Sequence, residues 1–200
     1  MLIMYIVTAV IIAMIIAVTV IIIKVLPLDF HIESASRRAG RRGEEVAAQI
    51  IREVLREDDH LLINVEIKIE GKPAELDCVV VNKYGVFIFE VKNYSGQLCG
   101  GEDDYEWQKI KITDAGNIYT KHVKNPIRQL KRQIYVLAKY LEYYGRRVWV
   151  EGYVILLRQN SPVKNSCIVM SRNDIDRAIH TKGKILLKKE EVQQIVELLG

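Results

Sequence analysis

An uncharged apolar run extends from Leu2 to Ile23 and is followed by Lys24. A helix rises about 1.5 Å per residue, so about 20 apolar residues cross a hydrocarbon layer of ~30 Å. The run lacks the basic start, the short apolar core and the small-residue cleavage site of a secretory signal peptide. The pattern therefore predicts one transmembrane helix over residues 1–24.

Basic residues lie on the C-terminal side of this run, in a polar stretch that contains glycine. These residues are Lys24, Arg37, Arg38, Arg41 and Arg42. Cationic residues near a membrane helix are retained on its cytoplasmic side. We therefore expect a juxtamembrane linker over residues 25–39 and a single-pass protein of the cell membrane whose C-terminal domain, residues 40–200, is cytoplasmic.

Apolar residues recur at helical spacing from Glu44 to Arg56, which predicts an amphipathic helix. Three runs rich in β-branched and aromatic residues follow, with turn signals at Gly71, at Pro73 and over positions 82–85. The predicted strands are residues 60–69, 74–82 and 85–93.

A second long helix is predicted after Asn125. Asparagine is a favoured helix cap and proline, here Pro126, a favoured first helical residue. Apolar residues then stand at positions 127, 130, 134, 137 and 141. Gly145 provides the glycine that commonly ends a helix.

The remaining predicted elements are a hairpin between residues 94 and 121 with Trp107 in a strand, a strand within 146–159, and short helices at 172–179 and 189–199. The order is one helix, three strands, a helix and another strand. This order predicts an α/β domain with a mixed sheet.

Two acids interrupt the apolar strands, Asp77 in one and Glu90 in the next. If the chain turns symmetrically about residues 83 and 84, Asp77 lies opposite Glu90 and Glu75 lies opposite Lys92. Side chains alternate along a strand, so these four residues would share one face. The other face would carry Leu76, Cys78, Phe87, Phe89 and Val91.

Two carboxylates that face each other destabilise a sheet unless a cation lies between them. Mg²⁺ prefers oxygen ligands and often binds one or two carboxylates and several waters. Lys92, on the same face as Glu90, would place a positive charge beside a phosphate or an attacking water. The pattern equally allows a purely structural arrangement, in which Lys92 bridges Glu75 and Glu90 and Asp77 lies in water near a sheet end.

Four segments in this order resemble the nuclease-related domain, NERD, of the restriction-endonuclease-like PD-(D/E)xK superfamily. They are "GRRGEE", "AELDCVVVNKYGVFIFEVKNYSGQLCG", the tryptophan at 107 and "KNPIRQLKRQIYVL". The resemblance covers residues 40–157. It implies a mixed β-sheet flanked by helices and the hydrolysis of phosphodiester bonds in DNA or RNA with Mg²⁺ or Mn²⁺.

The resemblance also implies roles for individual residues. Asp77, Glu90 and Lys92 match the catalytic acid, acid and lysine, and the Val91 carbonyl would help to hold the metal. Glu44 matches a helical glutamate and Gln129 the glutamine of the following helix. An acid in a first helical turn is also favoured by the helix dipole alone.

A basic cluster surrounds the start of the second long helix, where phosphate groups are readily bound. Its members are Lys121, Lys124, Arg128, Lys131 and Arg132. A solvated helix face would explain the same charges. The alternative to a nuclease is therefore a catalytically silent nucleic-acid-binding or scaffolding module tethered to the membrane.

Composition adds two restrictions. Cys78, Cys99 and Cys167 have neither an even count nor metal-ligand spacing, and the histidines are scattered, so neither a disulfide framework nor a zinc site is indicated. The formal net charge of +4 is mild and does not by itself indicate a nucleic-acid partner.

Overall fold

The computed structural model describes residues 11–12, 14, 35–158, 161–163, 165–181 and 186–200. The chain divides into two units, Met1–Ser34 and Ala35–Gly200. Apart from three helical residues, the predicted transmembrane segment lies outside the described residues, as does most of the linker. No helix within the described ranges combines the length and the apolar character needed to cross a membrane. The strands of the described ranges all belong to the second unit.

The helices of this unit are α1 (Ala35–Arg52), α2 (Pro126–Tyr143), α3 (Arg172–His180) and α4 (Lys189–Leu199). The strands are β1 (His60–Ile69), β2 (Lys72–Asn82), β3 (Gly85–Lys92), β4 (Gln97–Cys99), β5 (Glu106–Ile112), β6 (Ile118–Lys124), β7 (Val150–Leu156) and β8 (Ile168–Val169).

The main sheet has five strands in the order β1-β2-β3-β7-β8. The first three strands are antiparallel neighbours, whereas β7 runs parallel to β3 and β8 parallel to β7. The mixed sheet expected from the sequence is therefore confirmed. Asn82 pairs with Gly85 and Cys78 with Phe89, so the symmetric turn about residues 83 and 84 is confirmed as well.

Helices cover both faces of this sheet. On one face α2 and α4 pack against a core that includes Val79, Val81 and Ile88. On the other face Ala47, Ala48 and Ile51 of α1, together with α3, pack against Phe87 and Phe89. Each large apolar side chain that is fully buried in these layers contributes about 1.5–3 kcal/mol of transfer free energy.

Helix α1 begins at Ala35 and ends at Arg52, so it starts and ends earlier than the predicted helix over 44–56. The glycines that suggested a linker lie inside it. A Cβ atom on Gly43 would lie 2.9 Å from Asn93 Cβ and 3.2 Å from Leu157 Cδ1. Glycine therefore permits α1 to approach the ends of β3 and β7, and this tertiary requirement overrides its low helix propensity.

The second half of the domain follows the predicted order more closely. Asn125 caps α2 by accepting a hydrogen bond from Ile127 N at 2.9 Å, and Gly145 follows the helix with a φ of 76°. The expected hairpin is part of a three-stranded sheet, β4-β5-β6. Trp107 is fully buried in β5, as predicted for a strand residue.

Candidate functional site

The alternation of side chains breaks in the middle of β2. Leu76 packs in the same core as Val79, on the side of α2 and α4, whereas Cys78 packs on the α1 side. The predicted face of Leu76 was therefore wrong. In β1, Asn64 has a φ of 54° and lies between the two residues that pair with Cys78 and Leu76. Such local distortions of a strand re-aim side chains and are common beside functional sites.

Asp77 lies at this break. The main-chain pairing of β2 with β3 reaches Cys78 and Phe89, and one residue further Asp77 Oδ2 accepts a hydrogen bond from Val91 N at 2.7 Å. This bond holds the carboxylate beside the end of β3. Burial, together with the carboxylate of Glu90, raises the pKa of Asp77 to about 7.

Glu90 is fully buried and both of its carboxylate oxygens are engaged. Oε1 forms an ion pair with Lys92 Nζ, and Oε2 accepts a hydrogen bond from Gln133 Nε2 at 2.7 Å. Burial alone would lower the pKa of Lys92, but the carboxylate of Glu90 outweighs burial and raises it. A buried carboxylate requires such partners, since an unpaired one costs several kcal/mol or more.

Glu44 lies half-buried on α1 and is close enough to respond to the same charges. Burial raises its pKa, the Lys92 ammonium opposes the rise, and the Glu90 carboxylate adds to it. Helix α1 is tied to the end of β3 by Asn93 Nδ2, which donates to Ala39 O at 3.0 Å. The structure therefore brings Glu44, Asp77, Glu90 and Lys92 together.

The glutamine that holds Glu90 is Gln133, which sequence reasoning missed. Its Nε2 also donates to the main-chain oxygen of Glu75 at 3.0 Å, and its buried Oε1 has no hydrogen-bond partner among the described residues. Gln129 lies one helical turn earlier, half-buried, in a cavity of about 200 Å³ that Glu75 and Gln133 also line. The sequence did contain a sign that Gln133 is buried. Residue 133 lies three residues after Leu130 and four before Leu137, and so it falls on the apolar stripe of α2.

Replacing Gln133 by alanine is expected to lower the free energy of unfolding by about 1–3 kcal/mol, since Glu90 Oε2 would lose a buried donor. Gln129→Ala, at a half-buried position, should cost about 0.5 kcal/mol or less. Denaturant unfolding followed by the fluorescence of buried Trp107 measures both. Equal losses of unfolding free energy in the two variants would contradict the role of Gln133 as the buried donor to Glu90.

The five predicted nucleic-acid contacts are all exposed, but they do not form one free patch. Lys131 Nζ lies 2.7 Å from Glu102 Oε1. The guanidinium of Arg128 lies 5.3 Å from the ring centroid of Tyr105. Arg132 borders the cavity that contains Gln129, and Lys121 and Lys124 belong to β6. Local contacts therefore explain part of the charge on α2 without a ligand.

The carboxylates of Asp77 and Glu90 and the carbonyl of Val91 are oxygen ligands of the kind that a hard divalent cation takes. Within the described ranges, no group of three or more histidine, cysteine, aspartate and glutamate side chains is arranged to hold a metal. Two carboxylates suit Mg²⁺. A Mg²⁺ ion held by these two carboxylates would keep several of its own waters.

The purely structural arrangement, in which Lys92 bridges Glu75 and Glu90 and Asp77 lies in water, is found only in part. Lys92 pairs with Glu90 as that alternative required, but the described contacts contain no ion pair between Lys92 and Glu75. Asp77 is not an open, solvated acid, since it is half-buried and bonded to the β3 backbone.

Comparison with known proteins shows which family the chain matches. Residues 39–157 match the family described as the nuclease-related domain, NERD. The chain is also similar to the uncharacterized protein pXO1-01 of Bacillus anthracis, with 24% identity over 160 residues that cover 78% of this chain and 73% of that protein. The family match spans more than half of the chain and includes every residue of the candidate site. The chain therefore belongs to the NERD, or nuclease-related domain, family.

Proposed function

We propose that this protein is a metal-dependent nuclease that hydrolyses phosphodiester bonds in DNA or RNA with Mg²⁺ or Mn²⁺. The observation that carries the proposal is the convergence of Asp77, Glu90 and Lys92 where β2 and β3 meet, with Asp77 bonded to Val91 N and Glu90 paired with Lys92. A half-buried acid whose pKa is strongly raised, such as Asp77, close to a lysine is a recurrent sign of a catalytic site.

Asp77 and Glu90, with the carbonyl of Val91, would hold the metal. A bound divalent cation supplies Lewis-acid polarisation of a phosphoryl oxygen and lowers the pKa of a bound water. Lys92 would orient the attacking water and stabilise the negative charge that develops on the phosphate.

Three further side chains would support this set. Glu44 would act from α1 through its charge, and Gln129 would line the approach beside β2. Gln133 would fix the orientation of the Glu90 carboxylate, as outer partners of ligating groups commonly do. The exposed cations Lys121, Lys124, Arg128, Lys131 and Arg132 would supply contacts to phosphates.

The test uses the full chain, solubilised in an uncharged detergent. Labelled single- and double-stranded DNA and RNA are incubated with Mg²⁺, with Mn²⁺ or with EDTA. We expect cleavage of at least one substrate with either metal and none with EDTA. The ion pair between Lys92 and Glu90 would also stabilise a protein that catalyses no reaction. Absence of cleavage across the panel would therefore favour the silent binding or scaffolding module.

We further propose that residues 1–24 anchor the protein in the cell membrane with the C-terminal domain in the cytoplasm. The support is the uncharged run from Leu2 to Ile23 and the cations that follow it.

A reporter joined after Gly200 is therefore expected to be active in the cytoplasm. Moving the cations, by replacing Arg37, Arg38, Arg41 and Arg42 with glutamine and adding arginines before Leu2, should reverse the orientation of a fraction of the molecules. A reporter that reads as external in the unaltered protein would contradict the proposed topology.

A further inference from the structure

One face of the hairpin formed by β5 and β6 is strongly basic. Lys109 lies directly opposite Lys121, and Lys111 lies directly opposite Tyr119. Directly opposed residues and those two apart share a face, so the three lysines project together. We propose that this face binds the phosphate backbone of a nucleic acid and guides it to Lys92, an inference that rests on the proposed function.

The charge arrangement is unfavourable as a purely structural choice. Like charges directly opposed across two strands destabilise a sheet. Among the described residues, none of the three lysines of this face takes part in an ion pair. The acid of these two strands, Glu106, belongs to the other face, where it pairs with Lys124 in the ladder and lies 3.7 Å from His122. An anionic ligand would remove the repulsion between Lys109 and Lys121.

The hairpin is held firmly against the domain. Trp107, on the same face as the lysines, is fully buried in the core with α2 and donates from Nε1 to Gly101 O at 2.8 Å. A Cβ atom on Gly96 would lie 2.4 Å from Ile110 O, so the loop after β3 packs directly on β5. The side chains of Lys109 and Lys111 therefore follow Trp107 along one face, about 7 Å and about 13 Å beyond it.

This basic face continues into the candidate active site through Tyr94. The ammonium of Lys109 lies 5.8 Å from the centroid of the Tyr94 ring. Tyr94 follows Lys92 by two residues, and the Lys92 ammonium opposes the rise that burial causes in the pKa of the Tyr94 hydroxyl. A chain of phosphates on Lys121 and Lys109 would therefore pass beside Tyr94 towards Lys92.

A nucleic acid fits this surface better than an anionic membrane does. The exposed aliphatic residues of the hairpin, Ile112 and Ile118, face each other across the ladder on the side opposite to the lysines. The exposed apolar residue on the lysine face is Tyr119, an aromatic ring of the kind on which a base can stack. Binding to a membrane surface requires cationic and apolar groups to reach the same interface. Lys131 of α2 is a weaker candidate, because it is paired with Glu102 whereas Lys109 and Lys121 have no acidic partner among the described residues.

The test measures binding without cleavage. The full chain in an uncharged detergent is titrated against fluorescent single- and double-stranded oligonucleotides in EDTA, over a series of NaCl concentrations. Removing two phosphate contacts with the double variant Lys109→Ala and Lys121→Ala should reduce the slope of log K against log salt by about 1.5–2. Affinity at about 50 mM NaCl should fall on the order of 10- to 100-fold.

The matched control is the double variant Lys83→Ala and Lys189→Ala, which loses the same charge. Lys83 lies 5.2 Å from the ring centroid of Tyr84, a similar lysine and tyrosine contact at the opposite end of β3. The control should keep the slope of the wild type to within a few tenths. The melting temperature of the hairpin variant should stay equal or rise, because a repulsive pair is removed.

An unchanged salt slope in the hairpin variant overturns the inference, as does equal loss in the control. It is also overturned if the unaltered chain binds no nucleic acid but binds phosphatidylserine vesicles through Lys109 and Lys121. Binding in EDTA does not depend on turnover, so it is measured independently of cleavage. A protein that binds through the hairpin in EDTA but cleaves nothing with Mg²⁺ or Mn²⁺ would refute the proposed nuclease and support the inference, so the two failures are distinguishable.

Discussion

Lys92→Ala is expected to reduce metal-dependent cleavage by about 10²- to 10³-fold, the usual cost of removing one group that stabilises transition-state charge. Lys92 is not among the proposed metal ligands, so metal binding should persist. Affinity for nucleic acid should change little, because it is spread over several phosphate contacts. Single-turnover cleavage at saturating substrate, with binding measured separately by anisotropy, checks each expectation.

The Lys92 experiment needs a variant that preserves the buried ion pair. Removing one partner of a buried pair commonly costs about 3–5 kcal/mol, and Glu90 is fully buried beside Lys92. Lys92→Arg keeps a positive charge next to Glu90 but moves it, so we expect a folded protein with reduced turnover. Folding of both variants is checked by circular dichroism. Cleavage by Lys92→Ala at the rate of the wild type would contradict the proposed catalytic role of Lys92.

Asp77→Asn is expected to abolish stabilisation of the fold by Mg²⁺ or Mn²⁺. A ligand that binds only the folded state at about 100 times its Kd adds about 2.7 kcal/mol. The asparagine oxygen can still accept the hydrogen bond of Val91 N, so the fold should survive while the charge that attracts a cation is lost. Glu75→Gln, two residues earlier on the exposed part of β2, is the matched control and should keep the metal-dependent rise in melting temperature. An unchanged rise in Asp77→Asn would show that the carboxylates are misassigned.

The same substitution has an expected pH dependence in EDTA. The folded-state pKa of Asp77 is about 7 against an ordinary value of 3.8, so between these values the folded form keeps a proton that the unfolded chain releases. Stability therefore falls as pH rises from about 4 to about 7, by roughly 1.4 kcal/mol per pH unit at most. Asparagine removes the titrating group. Asp77→Asn should thus exceed the wild type in stability by on the order of 2–4 kcal/mol at pH 8.

That advantage should shrink steadily as pH falls and vanish only well below the ordinary pKa of 3.8, at about pH 3, where the Asp77 carboxyl is protonated in both states. Denaturant titrations at several pH values measure the difference between the two proteins. A constant difference across the range would contradict the buried, charge-coupled environment of Asp77.

Features with a local cause were predictable from the sequence. The turn between β2 and β3 and its register follow from polar and glycine residues between two apolar runs, and Asn82 indeed pairs with Gly85. The start of α2 follows from the residue types of Asn125 and Pro126, since capping involves only neighbouring backbone groups. The register of β2 on β3 brings β2 near Glu90 and Lys92, but the ladder stops at Cys78 and Phe89, one residue short of Asp77, whose carboxylate accepts a hydrogen bond from Val91 N instead.

Features that depend on distant residues were not predictable. The close approach of α1 explains Gly43 only when Asn93 and Leu157 are in place, and the break in β2 at Asp77 accompanies a change of conformation at Asn64 in the neighbouring strand. The hydrogen bond from Gln133 to Glu90 joins two residues that are 43 positions apart in the sequence. The sequence by itself determined the first three strands of the main sheet, the register of β2 on β3 and the acids and lysine that these strands carry. Only the tertiary structure decided which glutamine holds Glu90 and how closely α1 approaches the ends of β3 and β7 at Gly43. Those choices are made by packing between elements that no local pattern relates.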